Sequence, residues 1–243
     1  MIKIRKRSVF RFFYTKGKAI KTQTFSITNL SKSFVQAGIT VKILDNASYQ
    51  FNGNKSYAIM APSGTGKSTL LHMLSGIDHP CSGSVCLGRE NSSDLCFHRK
   101  TDLLKKSIGI VLQQSYLINE LTVTENVMLK GIISHGYIND DKKHAMQLLV
   151  EIGLESKANA FPESLSGGQQ QKIAILRSIF KVPEFLLADE PTGNLDEASG
   201  NQVIQLLLHY QKKYAMGLII STHDIKIANQ CDIIVRIENQ KLI

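Results

Sequence analysis

Ala61-Pro-Ser-Gly-Thr-Gly-Lys-Ser-Thr69 is the stretch from which the rest of the chain can be read. An apolar run, Tyr57-Ala-Ile-Met60, precedes it, and Leu70, Met73, Leu74 and Ile77 follow at helical spacing. Strand, glycine-rich turn and helix in that order make a cradle for phosphate. Gly64 and Gly66 let backbone N–H groups turn inward, and the helix start adds its positive dipole end. Lys67 can reach terminal phosphates, the Ser68 hydroxyl can ligate Mg²⁺, and Pro62, Ser63, Thr65 and Thr69 complete the turn. Ala61 stands where the pattern has its first glycine. If that position needs a positive φ, alanine is strained there.

A second turn, Leu165-Ser-Gly-Gly-Gln169, precedes another helical run, Gln170 to Phe180. Ser166 is a good N-cap residue, and Gly167 and Gly168 clear space for a close ligand. A single nucleotide at Lys67 has no evident use for a second phosphate-binding helix end on the same chain. The economical arrangement is a head-to-tail homodimer, each copy pressing its Ser166–Gly168 turn on the nucleotide held by the other.

The bulk composition narrows the classes. With 243 residues, 43% hydrophobic and 20% charged, the chain can build one sizeable domain or two small lobes. No apolar run approaches the ~18 residues of a membrane-spanning helix. Arg11 interrupts the apolar stretch near the start, which argues against a secretory signal. Cys81, Cys86, Cys96 and Cys231 show no zinc-type pairing and read as reduced thiols. The net charge of +9 is concentrated at one end: the first 24 residues hold eight Lys and Arg and no acid. Removing those eight from 29 Lys and Arg leaves 21 against 20 Asp and Glu, so the body is nearly neutral. The tail reads either as a flexible extension without a role or as a contact for an anionic membrane surface through residues 1–21. The second reading rests on Val9, Phe10, Phe12, Phe13 and Tyr14, which are interleaved with the charges. Nucleic acid and an organelle presequence are the weaker readings of the same charges.

Along the chain, Phe25–Leu30 and Ile43–Phe51 read as β-rich, and Asn52-Gly53 as a turn before the Tyr57–Met60 strand. Gly83–Leu87 reads as a further strand and Ile108–Leu112 as a buried one. From Thr124 to Leu154 the pattern is helical, closed by Phe161-Pro162. Apolar runs at Phe185–Ala188, Leu218–Ile220 and Ile233–Ile237 then alternate with helical segments, which predicts a mostly parallel sheet. The predicted organisation is a basic extension over residues 1–24 and an α/β domain over 25–243, with a helical lobe inserted at about 114–164. The chain ends soon after Ile237, so no further C-terminal domain is expected.

Leu-Ser-Gly-Gly-Gln at 165–169 resembles the signature of the ATP-binding-cassette (ABC) ATPases, and the resemblance runs from about Phe25 onward. It implies a P-loop NTPase core with a mostly parallel sheet, an N-terminal antiparallel β part and an inserted helical lobe, and ATP and Mg²⁺ as cofactors. Phe185-Leu-Leu-Ala-Asp-Glu190 resembles the Walker B strand: Asp189 would hold Mg²⁺ and Glu190 would polarise the attacking water. Gln113 matches the Q-loop glutamine, which touches Mg²⁺ or the water, and Gln114 beside it offers the same group. His223 matches the switch histidine that bonds the γ-phosphate, and Asn194-Leu195-Asp196 the D-loop at the dimer seam. Phe34 sits where relatives stack an aromatic ring on adenine, although phenylalanine has no hydroxyl to donate. Lys172 replaces an arginine often found after the signature, and keeps the charge without the planar fork. His72, His79, His98, His135, His144 and His209 match no motif position and read as structural or surface residues.

Pro191–Asp196, Leu121–Val127 and Gly76–Gly83 look like the branch serving macrolide export, lipoprotein release and the cell-division complex. That branch works with a separate integral-membrane permease from the cytoplasmic face of the membrane. The resemblance therefore implies an ATPase subunit driving export or release of lipid-linked cargo. The alternative is a signalling or mechanical module whose permease-like partner moves no solute. A soluble nucleic-acid-associated ATPase is the third class; its usual coiled-coil insertion or second cassette is not seen here.

Overall fold

Two sheets built from opposite local patterns divide the molecule. The computed structural model describes residues 23–36, 38–62, 64–88, 90–91 and 107–243. Residues 1–22 of the basic extension, Ser63, Cys96 and His98 lie outside the described residues. Strands β1 (Thr24–Gln36) and β2 (Ile39–Asn52) pair antiparallel in a long hairpin, followed by β3 (Ser56–Met60), helix α1 (Lys67–Ser75), β4 (Ser82–Leu87) and a short β5 (Glu90–Asn91). After β6 (Ile108–Val111) come α2 (Val123–His135), α3 (Asn139–Glu151) and α4 (Gly167–Ile179), then β7 (Phe185–Asp189) and α5 (Glu197–Tyr214). β8 (Gly217–Thr222), the short α6 (Ile225–Ala228), β9 (Ile233–Glu238) and β10 (Lys241–Leu242) close the order.

One sheet runs β2-β1-β4-β5 and is antiparallel. The other runs β10-β9-β3-β8-β7-β6, parallel except for the β10–β9 edge. The inner parallel strands β3, β7 and β8 are short and almost wholly buried because both faces are covered, whereas β9 exposes Arg236 and Glu238. β7 shows the division: Phe185 and Leu187 point into the core shared with the antiparallel sheet and α1, whereas Leu186 and Ala188 point into the core shared with α2 to α5. β8 alternates likewise, Ile219 to the first core and Leu218 and Ile220 to the second. In this arrangement the C-terminal ends of β3, β6, β7 and β8 lie along one edge, where open parallel sheets bind ligands.

Three expectations about boundaries change. The helical run from Thr124 to Leu154 is two helices, broken where Gly136 takes φ 80° and Ile138 is extended. Asp140 and Asp141 then supply the acids favoured in a first helical turn. The signature helix starts at Gly167, ahead of Gln170, because Ser166 caps it. β1 and β2 are longer than their apolar cores and continue to a turn at Gly38, carrying Phe34, Val35, Ile39 and Val41 to an exposed tip. Cys81, Cys86 and Cys231 are free thiols. Among the described residues no helix is long and apolar enough to cross a membrane.

Candidate functional site

The turn between β3 and α1 is shaped by backbone conformations that only glycine adopts freely. Gly64 lies at φ 79° and Gly66, the N-cap of α1, at φ 103°. Gly66 is fixed twice over, since a Cβ there would sit 2.0 Å from the Ile43 side chain of β2. Ala61 is buried and has no positive φ, so the strain anticipated for alanine at this position does not arise. Its carbonyl accepts from Lys67 Nζ at 2.9 Å, and the Pro62 carbonyl accepts from the same nitrogen at 3.2 Å. The Thr65 hydroxyl donates to the Pro62 carbonyl at 2.6 Å, closing the turn, and Thr69 follows half-buried in the first turn of α1.

The acids meet this turn from the neighbouring strands. Asp189 ends β7, and its Oδ1 accepts from the Ser68 hydroxyl at 3.0 Å and from the Ser221 hydroxyl at 2.5 Å. Two hard oxygens, a hydroxyl and a carboxylate, thus stand side by side at a helix N-terminus, a donor set suited to Mg²⁺ bound with phosphate. Glu190, at φ 39°, turns its carboxylate between two basic groups: Oε1 is 3.2 Å from Lys67 Nζ and Oε2 is 3.4 Å from His223 Nδ1. The Glu190 N–H donates to both the carbonyl and the hydroxyl of Ser221, at 3.2 and 3.0 Å. Left-handed backbone in a non-glycine residue is strained and persists where its surroundings over-determine it, as at many active sites. A pocket of about 180 Å³ opens beside Glu190 and His223. It is the place where a water could be held between a carboxylate and an imidazole.

Gln113 follows β6 and meets the loop after β7. Its Nε2 donates to Asn194 Oδ1 at 3.3 Å, and Gly193 leaves it room, because a Cβ there would lie 2.7 Å from that nitrogen. No bond of the described residues joins Gln113 to Ser68 or Asp189. The signature turn is self-contained. Ser166 accepts from the Gln169 N–H at 3.4 Å and the Gln169 side chain accepts from the Ser166 N–H at 3.1 Å, a capping box. Leu195 and Ser199 lie against Gly167 and Gly168. Asp196 caps α5 by accepting from the Ser199 N–H at 2.9 Å, and bonds from the Ser199 side chain and backbone hold its carboxyl below the usual range. A groove of about 330 Å³ runs between Gln113, Tyr116, Gly167 and Leu195. On β1, Phe34 pairs with Val41, and two residues further along β2 Ile43 covers Gly66. The half-exposed Phe34 ring therefore stands on the strand pair that packs on the phosphate turn.

Residues 44–193 match the ABC transporter family. The chain belongs to that family. This cassette is 38% identical over 203 residues to the lipoprotein-releasing system ATP-binding protein LolD of Legionella pneumophila (strain Lens), a match covering 84% of the chain and 89% of the relative. The corresponding protein of Buchnera aphidicola is 32% identical over 214 residues, covering 88% and 94%. Among solved structures, the dimeric cassette MJ0796 superposes with a TM-score of 0.82 at 33% identity, covering 90% of this chain and 96% of that one. The same cassette in a post-hydrolysis state bound to ADP and Pi gives 0.81 at 32%. The chain is thus an ATP-binding, ATP-hydrolysing cassette with a P-loop NTPase fold.

The structure of this cassette adds residues that sequence reasoning passed over. Ser221 is fully buried at the end of β8, and its hydroxyl serves both acids: it donates to Asp189 and accepts from the Glu190 N–H. A hydroxyl interrupting the apolar run just before Thr222-His223 was the available signal. Arg177 of α4 donates to the carbonyls of Ser115 and Tyr116 at 2.6 and 2.7 Å, and Gln171 to that of Leu112 at 2.8 Å. The signature helix therefore grips the backbone on both sides of Gln113. Lys172 reaches Gln202 of α5 at 2.8 Å, a contact for which a point charge suffices.

Proposed function

We propose that this chain works as a homodimeric ATPase subunit on the cytoplasmic face of a membrane, driving a separate integral-membrane permease that releases or exports lipid-linked cargo. Bound ATP with Mg²⁺ supplies the phosphoanhydride and the charge-neutralising cation. Backbone N–H groups of Gly64 to Thr69 and Lys67 bind the phosphates, Ser68 and Asp189 hold the cation, and Phe34 stacks the base. Glu190 orients and polarises the attacking water, His223 beside it donates to the γ-phosphate, and Gln113 touches the cation or the water. Ser166, Gly167 and Gly168 complete the site on the opposite protomer, and Asp196 fixes the seam between them.

The observation that carries this reading is the separation of the two cradles. The phosphate turn is bonded to its own acids, whereas the Ser166 turn is capped, exposed and, among the described residues, joined to no residue of the phosphate turn. A glycine-rich, cap-satisfied helix start facing outward suits a ligand held by another copy. The likeness to LolD proteins over most of both chains supports lipoprotein release as the cargo class. We read residues 25–243 as one ATP-binding domain, whose helices at about 114–164 touch the permease, and residues 1–21 as a contact for anionic lipid.

Mixing two inactive variants tests the shared site. Gly168→Asp aims a carboxylate at the γ-phosphate and Lys67→Ala removes the phosphate ligand, so each alone loses hydrolysis. A heterodimer of the two rebuilds one composite site and regains part of the activity. Two dead variants that stay dead in a proven heterodimer would overturn the arrangement. For the cargo, the membrane protein that copurifies with the chain should raise its ATP turnover more with a lipidated peptide than with the same peptide unlipidated.

A further inference from the structure

Phe34 is the residue of the site least anchored by its own chemistry. It lies on a strand near the exposed tip of a hairpin, it is 43% exposed, and a phenyl ring has no hydrogen bond to fix it. One face of the ring is nonetheless covered. Lys32 Nζ stands over it at 4.9 Å from the centroid, two residues back along the same strand. Lys32 is itself buried, and its ammonium is held at two points, by Asp78 Oδ1 at 2.8 Å and by the His79 carbonyl at 2.7 Å. Asp78 in turn accepts from the His79 N–H at 2.7 Å. Burial works against its charge, yet the bonds from Lys32 and His79 hold the carboxyl below its ordinary range.

The location of Asp78 gives this cluster its meaning. It follows the C-cap of α1, Gly76, and the chain from there crosses back to β1, the Cys81 N–H donating to the Ser31 carbonyl at 2.8 Å. One helix therefore carries the phosphate-binding Lys67 and Ser68 at its start and, through Asp78 and Lys32, the support of the aromatic ring at its end. A buried charge is kept where it is fully paired, and it then fixes geometry more than it adds stability. An ammonium on one face of a ring is attracted by the π-system and leaves the opposite face free for stacking.

We propose that Lys32, held by Asp78, is a positioning residue for nucleotide base recognition: it seats the Phe34 ring so that its open face meets the base, at a distance from the phosphates set by α1. The proposal rests on Phe34 stacking the base. It assigns Lys32 no contact with nucleotide and no part in the chemical step.

The experiment compares ATP with inorganic tripolyphosphate, which has the phosphates and no base, using the full chain with Mg²⁺. Lys32→Met keeps most of the side-chain stem and removes the charge. It should raise the KM for ATP roughly three- to tenfold, leave kcat within about twofold, and leave inhibition by tripolyphosphate unchanged. Lys32→Arg should stay near wild type. Asp78→Asn, which leaves Lys32 bonded to the His79 carbonyl, should move KM the same way by less, and it carries the test if Lys32→Met does not fold. In a Phe34→Ala background, Lys32→Met should add nothing further. Equal weakening of ATP and tripolyphosphate, a fall in kcat, or an undiminished effect without the Phe34 ring would overturn the proposal. If Phe34→Ala itself leaves the KM for ATP unchanged, the stacking assignment fails, and the proposal with it. A raised KM in Phe34→Ala without one in either Lys32→Met or Asp78→Asn fails the proposal alone.

Discussion

The two glycine-rich helix starts, Ala61–Thr69 and Leu165–Gln169, are built on different principles. At the first, Gly64 and Gly66 adopt left-handed backbone, α1 has no side-chain cap, and Lys67 and Ser68 are bonded to Ala61, Pro62, Glu190 and Asp189. At the second, Gly167 and Gly168 have no positive φ, a capping box closes the turn, and the neighbours are Leu195 and Ser199. At the first, glycine is demanded by the backbone and, at Gly66, by the Ile43 side chain as well; at the second, the backbone does not demand it. The polar groups of the first belong to a network across the sheet, and those of the second satisfy each other. A turn of the first kind fails when its backbone is constrained. One of the second kind fails when its surface is filled.

Substitutions can break or sharpen this contrast. The largest effect on turnover is expected from Glu190→Gln, which strikes the network of the first turn and spares its backbone. Hydrolysis should fall about 10²- to 10⁴-fold, the range for a lost catalytic base. Binding of ATP should persist, because Lys67, Ser68 and Asp189 are untouched. Filter-retained ATP and size-exclusion chromatography with ATP-Mg²⁺ read the two parts separately, and near-normal turnover would remove Glu190 from its role.

Gly66→Ala attacks conformation. A non-glycine residue in the left-handed region costs about 1–2 kcal/mol, and the added methyl must also displace Ile43. Thermal unfolding should drop by several degrees, and ATP affinity by an order of magnitude or more. A variant as stable as the parent would show that the phosphate turn tolerates another backbone path.

Ser221→Ala removes the hydroxyl that links Asp189 to the Glu190 backbone. The Glu190 N–H keeps the Ser221 carbonyl, so the expected loss is a single bond to a charged group, worth about 1.5–3 kcal/mol at most. Turnover should fall several-fold, with half-saturation shifted to higher Mg²⁺. A rate unchanged at every Mg²⁺ concentration would reduce Ser221 to a packing residue.

The smallest change is predicted for Gly167→Ala, and its sign is the sharpest test of the contrast. A Cβ there meets only Leu195 at 3.4 Å, and alanine favours helix, so the melting point should hold or rise by a degree or two. On the proposed shared site, ATP turnover should still fall, because the methyl would occupy the surface offered to the other protomer's nucleotide. A loss of stability like that of Gly66→Ala would place both turns in one class.

The amino-acid sequence by itself determined what depends on neighbours along the chain. The strand, turn and helix around Lys67, the Ser166 cap with Gln169 three residues on, and the apolar runs of β7 and β8 ending in acids and a histidine are all patterns within ten residues or so. Their order, through its resemblance to that of the ABC ATPases, was enough to imply the fold and to expect Lys67, Ser68, Asp189, Glu190 and His223 at one sheet edge. It erred where the local signal was even: the helical periodicity from Thr124 ran through the break at Gly136, and β1 and β2 extended past their apolar cores.

What only the tertiary structure decided are the contacts between segments far apart in sequence. Ser68 and Asp189 meet across 121 positions and Ser221 and Asp189 across 32, because the strand order β3-β8-β7 brings three loops to a common end. The same holds for Ile43 over Gly66, Gln113 against Asn194, and Lys32 against Asp78. None of these pairs has a spacing that marks it, since which hydroxyl faces which carboxylate is set by the register of packed strands. That register follows from burying two hydrophobic faces at once, and it exists only when the whole sheet is assembled.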